Sequence, residues 1–574
     1  MHSYNKPLKY NRWEYVVPAL TIVSLLVACI IVSNKKVFWN DELYSYYFLS
    51  DPSFAKMLAA FHDKINNTPI LYFALGWVWD KVFGSSELSY RLFSSLGICA
   101  ALGLTWVTLR RTYDFWSTSI GVLGVFCTSE IILMQNAEAR MYGLFLAFGA
   151  VGLFLYDRIN REPQPSTRLL LVNAAVQAAL VHTHLFGGFY SGAFLVATVV
   201  SDRYSRLFRP KVYLSIVLGM LSVLFYIPSF LIQADAGKPR TWIPSPTVQD
   251  LIDFFSFKYS LFMDGYVFVL IVSISALLFI YYKFINPELK NLPVKQKQPD
   301  QDSETSLLIF AFIFMVALPV FLWLFSKIIK PVMFDKYMIP SILGWVIMLA
   351  HFTSRLLIPK TIKGAVSEES QAGAIHRYLY LPAILLLFLV VMSFALRPLF
   401  YAKKFPRQKA LGLVINPHPY PNLPIVVQPS QYFTQVIHYA KNKDKYFFIR
   451  DWEAAMDKHS GRFSPQEYKH LGALKRNYPD LFHNVVYSEE FLNKYNRFLV
   501  IDYPNYTRQC SDWPVGLEVA RRWLGLHCPQ WVETRIMKGN MYKVTILQSN
   551  DWVTVLLVEK ALNNKLEANV SLNK

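Results

Sequence analysis

Charge is scarce in this sequence. Only 17% of its 574 residues are Asp, Glu, Lys or Arg, whereas a soluble chain carries nearer a quarter. No internal repeat and no low-complexity tract stands out, so the chain is not a repeat array. The first apolar run, 16–32, is followed by no small-residue cleavage site, which argues against a removable signal and for a membrane anchor. What fills the chain instead is apolar: 53% of residues are hydrophobic and 16% aromatic, with a mean hydropathy of +0.26. Runs at 16–32, 88–107, 120–134, 212–232, 266–282, 307–325 and 379–396 approach the ~20 residues that cross a bilayer. The chain reads as a multi-pass membrane protein.

Its net charge of +19 would suit nucleic acid, but the cations sit at the ends of apolar runs, which is the positive-inside pattern. No nucleic-acid partner is expected. Arg110 and Arg111, then Arg158, Arg161 and Arg168, then Arg203, Arg206, Arg209 and Lys211 all flank spans. So do Lys283, Lys290, Lys295 and Lys297, and later Arg355, Lys360, Lys363 and Arg377. Placing these in the cytoplasm puts the N-terminus inside and lets the first span exit near Ser33. One further span, starting near Glu87, must then reach Arg110. The apolar piece 69–83 therefore lies in the interface as a juxtamembrane helix, and 34–86 forms a first external loop. Further spans fall near 115–134, 141–157, 169–185, 187–201, 212–232, 261–283, 306–326, 338–356 and 377–397. That makes about eleven, with a polar cytoplasmic insert at 286–305.

After Arg397 the texture changes. Residues 424–428, 446–450 and 497–502 read as short buried strands. Helical patterns lie between them, at 431–440 after Ser430 as an N-cap and at 515–524. The expected architecture is a polytopic α-helical membrane domain, 1–400, followed by an extracytoplasmic α/β domain, 401–574. Cys29, Cys99 and Cys127 fall in spans as buried thiols. Cys510 and Cys528 share the external domain, where a disulfide is permitted but not fixed by spacing.

Chemistry-bearing residues collect on the external side of this topology. Asp41 and Glu42 sit in FWNDELYSYYF (38–48), as a general base with a neighbouring acid or as acids that favour a helix start. Arg91 follows Glu87 by four, the spacing of a helical ion pair. Glu138, Arg140 and Tyr142 come from QNAEARMYG, His182 and His184 from VHTHLFG, and Asp335, Lys336 and Tyr337 from KPVMFDKYMIP. Ionisable groups at membrane depth are costly unless they line a cavity. Carboxylates with Arg and Lys beside a bilayer suit a phosphorylated amphiphile, the cations taking phosphate.

In order, NNTPILYFALGWVWDKVFG (66–84), ELSYRLFSSLG (87–97), NAEARMYGLFLA (136–147), THLFGGFYSG (183–192) and DKYMIPSILG (335–344) follow the acid pair. Read with that pair, the chain resembles the membrane glycosyltransferases of the GT-C fold. Within them it is most like the dolichyl-phosphate-mannose–protein mannosyltransferase-like group of glycosyltransferase family 39. That superfamily includes the bacterial lipid A aminoarabinose transferases. The resemblance covers roughly 10–400, and the external domain is similar to the family's C-terminal one. It implies inverting transfer of a hexose or pentose from a polyprenyl-phosphate donor to a lipid, glycan or protein acceptor on the external face of a bacterial inner membrane. Asp41 falls at the catalytic acidic position with Glu42 supporting it. Arg140 and Lys336, with Arg91 behind them, fall where the leaving phosphate would be held, alongside Glu138, Tyr142 and Tyr337. Lys336 stands where relatives often carry Arg, Glu138 where some carry Asp, and residues 67–70 keep one proline where two are common. Relatives that bind a divalent metal would place His184 at it with Asp63, a pair that leaves the metal unassigned. A lipid-linked-sugar flippase and an inactive scaffold of the same fold are the alternatives.

Overall fold

The computed structural model describes residues 12–238, 243, 245–255, 301–357, 371–414, 420–456, 464–502, 531–537, 541–550 and 553–561, without the side chains of 301, 356–357, 371–384, 464 and 533. The expected span at 261–283, most of the 286–305 insert, Cys510, Cys528 and the 515–524 helix lie outside these. In chain order the first helices are α1 (Val16–Ser33), α2 (Asn40–Leu49), α3 (Phe54–Phe61), α4 (Leu71–Phe83), α5 (Glu87–Arg110), α6 (Phe115–Thr128) and α7 (Glu130–Gln135). There follow α8 (Tyr142–Asn160), α9 (Thr167–Thr183), α10 (Gly187–Tyr204), α11 (Pro210–Leu221), α12 (Ile227–Ala234) and α13 (Val248–Phe255). Beyond them come α14 (Gln301–Phe312), α15 (Leu318–Ile328), α16 (Ile342–Leu357) and α17 (Gln371–Lys404).

Among the described residues, seven segments are long and apolar enough to cross a membrane: Arg12–Ser33, Glu87–Arg110, Tyr142–Asn160, Pro210–Gly237, Asp302–Ile328, Asp335–Arg355 and Leu385–Lys404. The protein is an integral, multi-pass membrane protein. α9 and α10 form where spans were expected but are not among the seven. α6 is shorter because Ser129 leaves the helical conformation, its hydroxyl accepting from the Ile132 amide to start α7.

The chain divides into two compact units, one of residues 1–35, 68–227 and 243–406, the other of 36–67, 228–242 and 407–574. In the first, side chains start the helices where the sequence offers them. Ser86, Asp114 and Ser166 accept from amides in the first turns of α5, α6 and α9, meeting donors the helix cannot satisfy. Gly84, at φ 77° and ψ 170°, closes α4 in an extended conformation of positive φ that glycine adopts without strain. α4 has 13 residues, about 20 Å of helix against a ~30 Å hydrocarbon core. It is fixed on α5 by Trp79 Nε1 donating to Ser89 Oγ at 3.0 Å and by Tyr90 donating to Asp80.

α5 and α8 cross in backbone contact. A Cβ built on Gly97 would overlap the Gly143 carbonyl group, and one on Gly143 would overlap the Ser94 carbonyl oxygen. Small residues at such crossings let two helices approach closely in a membrane. Several of the cations that set the topology are paired: Arg110 with Glu14 at 2.7 Å, Arg111 and Arg161 with Asp157 at 2.8 and 2.9 Å, and Arg209 with Asp202.

The second unit carries a six-stranded sheet: β1 (Ile425–Val427), β2 (Tyr446–Arg450), β3 (Val485–Tyr487), β4 (Arg497–Asp502), β5 (Tyr542–Ser549) and β6 (Thr554–Lys560). Its order is β3-β2-β1-β4-β6-β5, parallel from β3 to β4 and antiparallel through β6 and β5. The parallel strands are nearly continuous apolar runs because helices cover both faces. Val426, Ile449, Val500, Leu556 and Trp531 meet in the core. Three strands are where the sequence placed them; β3, β5 and β6 were not anticipated. Ser430 was expected to cap its helix, yet it is the first helical residue of Ser430–Tyr439 and its hydroxyl makes no hydrogen bond among the described residues.

Segment 36–67 packs on the sheet's helices within this unit. Gln435 Nε2 donates to the Phe38 carbonyl at 3.1 Å, and Tyr439 OH accepts from the Phe38 amide. Tyr478 OH donates to the Tyr47 carbonyl at 3.0 Å. Arg476 and Asn477 bind Asp63 at 2.8 and 2.9 Å, and Lys64 and Lys469 converge on Asp235 at 2.6 and 3.1 Å.

Candidate functional site

Most of the sequence-derived candidates of the first unit form one cluster, and the acid pair lies in the second unit. In the first unit, the turn between α7 and α8 supplies Glu138, Arg140 and Tyr142, the α9–α10 connection supplies His184, and a 3-10 helix at Asp335–Ser341 supplies Lys336 and Tyr337. Because α5 and α8 touch at Gly97 and Gly143, the turn before α8 is held against α5, where Ser94 Oγ donates to the Arg140 carbonyl at 2.9 Å.

His184 lies at the centre. Its ring centroid is 4.8 Å from Tyr337, 5.1 Å from Phe145, 5.5 Å from Phe186 and 5.9 Å from Tyr142. Nδ1 accepts from the Phe186 amide at 3.2 Å, so the neutral ring carries its proton on Nε2. The charges of Arg140 and Lys336 both bear on this imidazole. Lys336 Nζ stands 5.3 Å from the Tyr142 ring and 5.6 Å from Phe334, and Tyr142 stacks on Tyr337. Arg140, Glu138 and His184 are all buried, and Gln135 Nε2 donates to Glu138 at 3.4 Å. The product is a doubly cationic cluster among aromatic rings, with Arg140 buried and Lys336 half-buried, chemistry suited to a phosphate carried on an apolar chain.

Arg91 belongs to a different set of contacts. It is fully buried and donates to Glu87 and to the Ser33 carbonyl, each at 3.3 Å. His182 Nε2 meets the Ser222 carbonyl at 3.1 Å. No group of three or more His, Cys, Asp or Glu side chains able to hold a metal occurs among the described residues, and Asp63 is engaged by Arg476 and Asn477.

In the second unit, α2 separates the two acids. Glu42 is fully buried, accepts from the Trp39 amide at 3.3 Å and pairs with Lys36 at 3.7 Å. It stabilises the helix start, as an acid three residues past the cap does. Asp41 is half-exposed, and its negative charge bears on Tyr44 and His470. The His470 ring lies 5.5 Å from that of Tyr44; its Nδ1 donates to the Lys64 carbonyl and its Nε2 accepts from Gln466. Burial holds His470 below the usual imidazole range, against the opposite pull of the Lys64 carbonyl and Asp41. Burial, with the charges of Glu467 and Asp41, holds the Tyr44 phenol well above its ordinary value, so Tyr44 stays a donor. Its hydroxyl is buried and makes no hydrogen bond among the described residues, an omission that costs about 1–3 kcal/mol.

Sequence reasoning passed over Tyr44, His470, Phe186 and Phe334. Tyr44, Phe186 and Phe334 lie inside quoted motifs, whereas nothing in the sequence around His470 marks it.

No family model matches the sequence, and no curated protein matches it. Solved structures do. ArnT from Cupriavidus metallidurans in the apo state superposes with a TM-score of 0.53 at 12% identity, covering 95% of this chain and 97% of that one. ArnT from the same organism bound to undecaprenyl phosphate gives 0.49 at 13% identity, covering 95% and 98%. The likeness to the apo structure defines the class of fold, a polytopic membrane fold of the GT-C type with a small C-terminal sheet domain. The particular fold is the one seen in ArnT.

Proposed function

We propose that this chain is a glycosyltransferase that moves a sugar from a polyprenyl-phosphate donor to an acceptor hydroxyl on the external membrane face. Arg140 and Lys336 take the carrier phosphate, Tyr337 and Tyr142 flank it, and Asp41 takes the acceptor's proton while Glu42 fixes the start of α2. In the step itself, the acceptor oxygen forms its bond to the anomeric carbon as its proton passes to Asp41. The bond from that carbon to the phosphate oxygen breaks, and its electron pair leaves with the polyprenyl phosphate. One displacement inverts the anomeric carbon and needs no covalent enzyme intermediate. Cations at the phosphate offset the charge that develops there, usually the largest single contribution to such a reaction.

The observation that carries this reading is the convergence of three separated segments, 136–142, 183–186 and 334–337, on His184 with Arg140 and Lys336 beside it. Membranes containing the protein, supplied with labelled polyprenyl-phosphate sugars of different kinds, test it: label should leave one carrier and appear on a second molecule. Label that crosses the bilayer of proteoliposomes while still on its carrier would show a flippase instead.

A further inference from the structure

α2 places Tyr44 three residues after Asp41, so the two side chains are neighbours on one helical surface. The phenol ring is fixed: it packs against His470, whose two nitrogens are already taken by the Lys64 carbonyl and Gln466. His470 therefore has no hydrogen bond to offer the phenol. The Tyr44 hydroxyl is buried, carries a proton to donate, lies in the field of Asp41 and Glu467, and bonds to no protein atom among the described residues. Asn40, four residues earlier, has a buried amide oxygen in the same condition. A phenylalanine would fill the space without leaving a buried hydroxyl unbonded. The hydroxyl serves the fold poorly, and it stands beside the carboxylate that needs an acceptor held still.

We propose that Tyr44 binds the acceptor, donating a hydrogen bond that holds its hydroxyl against Asp41, and that the acceptor is an uncharged, hydroxyl-rich saccharide rather than a phosphate. This rests on Asp41 being the base. The exclusion of phosphate follows from charge. Asp41 and Glu467 face this position, while Lys36 is paired with Glu42, Lys64 and Lys469 with Asp235, and Arg476 with Asp63. An anionic acceptor would meet repulsion with those cations already engaged. A neutral saccharide offers donors for the Asn40 oxygen and an acceptor for the Tyr44 hydroxyl.

The test uses the full-length protein in nanodiscs, the labelled polyprenyl-phosphate sugar it discharges, and two acceptor probes, octyl glucoside and octyl phosphate. Wild type should label octyl glucoside in preference. Tyr44→Phe should raise the KM for octyl glucoside about tenfold, with the donor KM unchanged and the melting temperature unchanged or higher. Tyr47→Phe is the control, because it removes another buried, unbonded hydroxyl from the same helix, one whose ring packs on Phe482 and Tyr478. An unchanged acceptor KM in Tyr44→Phe, an equal rise in Tyr47→Phe, or preferential labelling of octyl phosphate would overturn the proposal. Full transfer by Asp41→Asn would instead strike the base assignment on which it rests.

Discussion

Arg140 and Lys336 approach one imidazole from different segments, and their proposed work at a departing phosphate is additive in kind but not in geometry. A lysine is a point charge, whereas an arginine offers a planar fork. Each of Arg140→Ala and Lys336→Ala should lower kcat about 100-fold, and Lys336→Arg should recover part of the loss. Single-turnover release of label from the carrier measures both. Two other residues set a pH response. His470 is buried neutral below its ordinary value of 6.5, so the unfolded chain takes up its proton first and stability falls as pH drops below that value. Burial pushes the Asp63 carboxyl up, but Arg476, the Lys64 amide and Asn477 together bring it below its ordinary 3.8. Its contribution is present above 3.8 and lost as pH falls through the lowered value. Since Arg476 is half-exposed, that second loss should stay under about 1 kcal/mol. The hydrogen-exchange protection of segment 36–67, corrected for the intrinsic rate at each pH, should fall below pH 6.5 and again below 4, and His470→Gln should remove the first change.

The α5–α8 crossing positions the cationic turn, and it leaves no room for a side chain. Gly143→Leu should destabilise the protein by about 1–3 kcal/mol and cut donor binding, with α2 unaffected; thermal unfolding and carrier titration would show both. Helices with long uncharged runs, such as α1 and α5, were plain in the sequence because the bilayer demands length and apolarity from each separately. The α6–α7 break was hidden, since Ser129 bonds locally to the Ile132 amide and a serine in an apolar run carries no sign of that. β1, β2 and β4 were legible as apolar runs between turn residues. β5 carried a signal of its own, Tyr542, Val544 and Ile546 alternating with Lys543 and Thr545 as in a half-buried strand.

Across the whole chain, the orientation we propose from the positive-inside pattern has the N-terminus cytoplasmic and the sheet domain external. Cysteine placed at exposed Lys441 should be labelled by an impermeant thiol reagent in intact cells, and cysteine at exposed Arg206 only after lysis. The grouping of 36–67 with 407–574 was not legible. It depends on side chains that reach backbone carbonyls at Phe38, Tyr47 and Lys64, and a carbonyl has no letter in a sequence. The site was half legible for the same reason. Motifs named Asp41, Arg140, His184 and Lys336, while His470 entered only through packing. Burial favours Asp41 over Glu42 as the proposed base, since the Trp39 amide and Lys36 engage Glu42.

The proposed role of Asp41 as the base is tested most directly by one comparison: sugar release from a labelled polyprenyl-phosphate donor by wild type and by Asp41→Asn. The substitution keeps shape and removes the base, so transfer should fall by about 10²–10⁴ while melting temperature and carrier binding stay unchanged. Transfer at the wild-type rate by a folded Asp41→Asn protein would contradict the account.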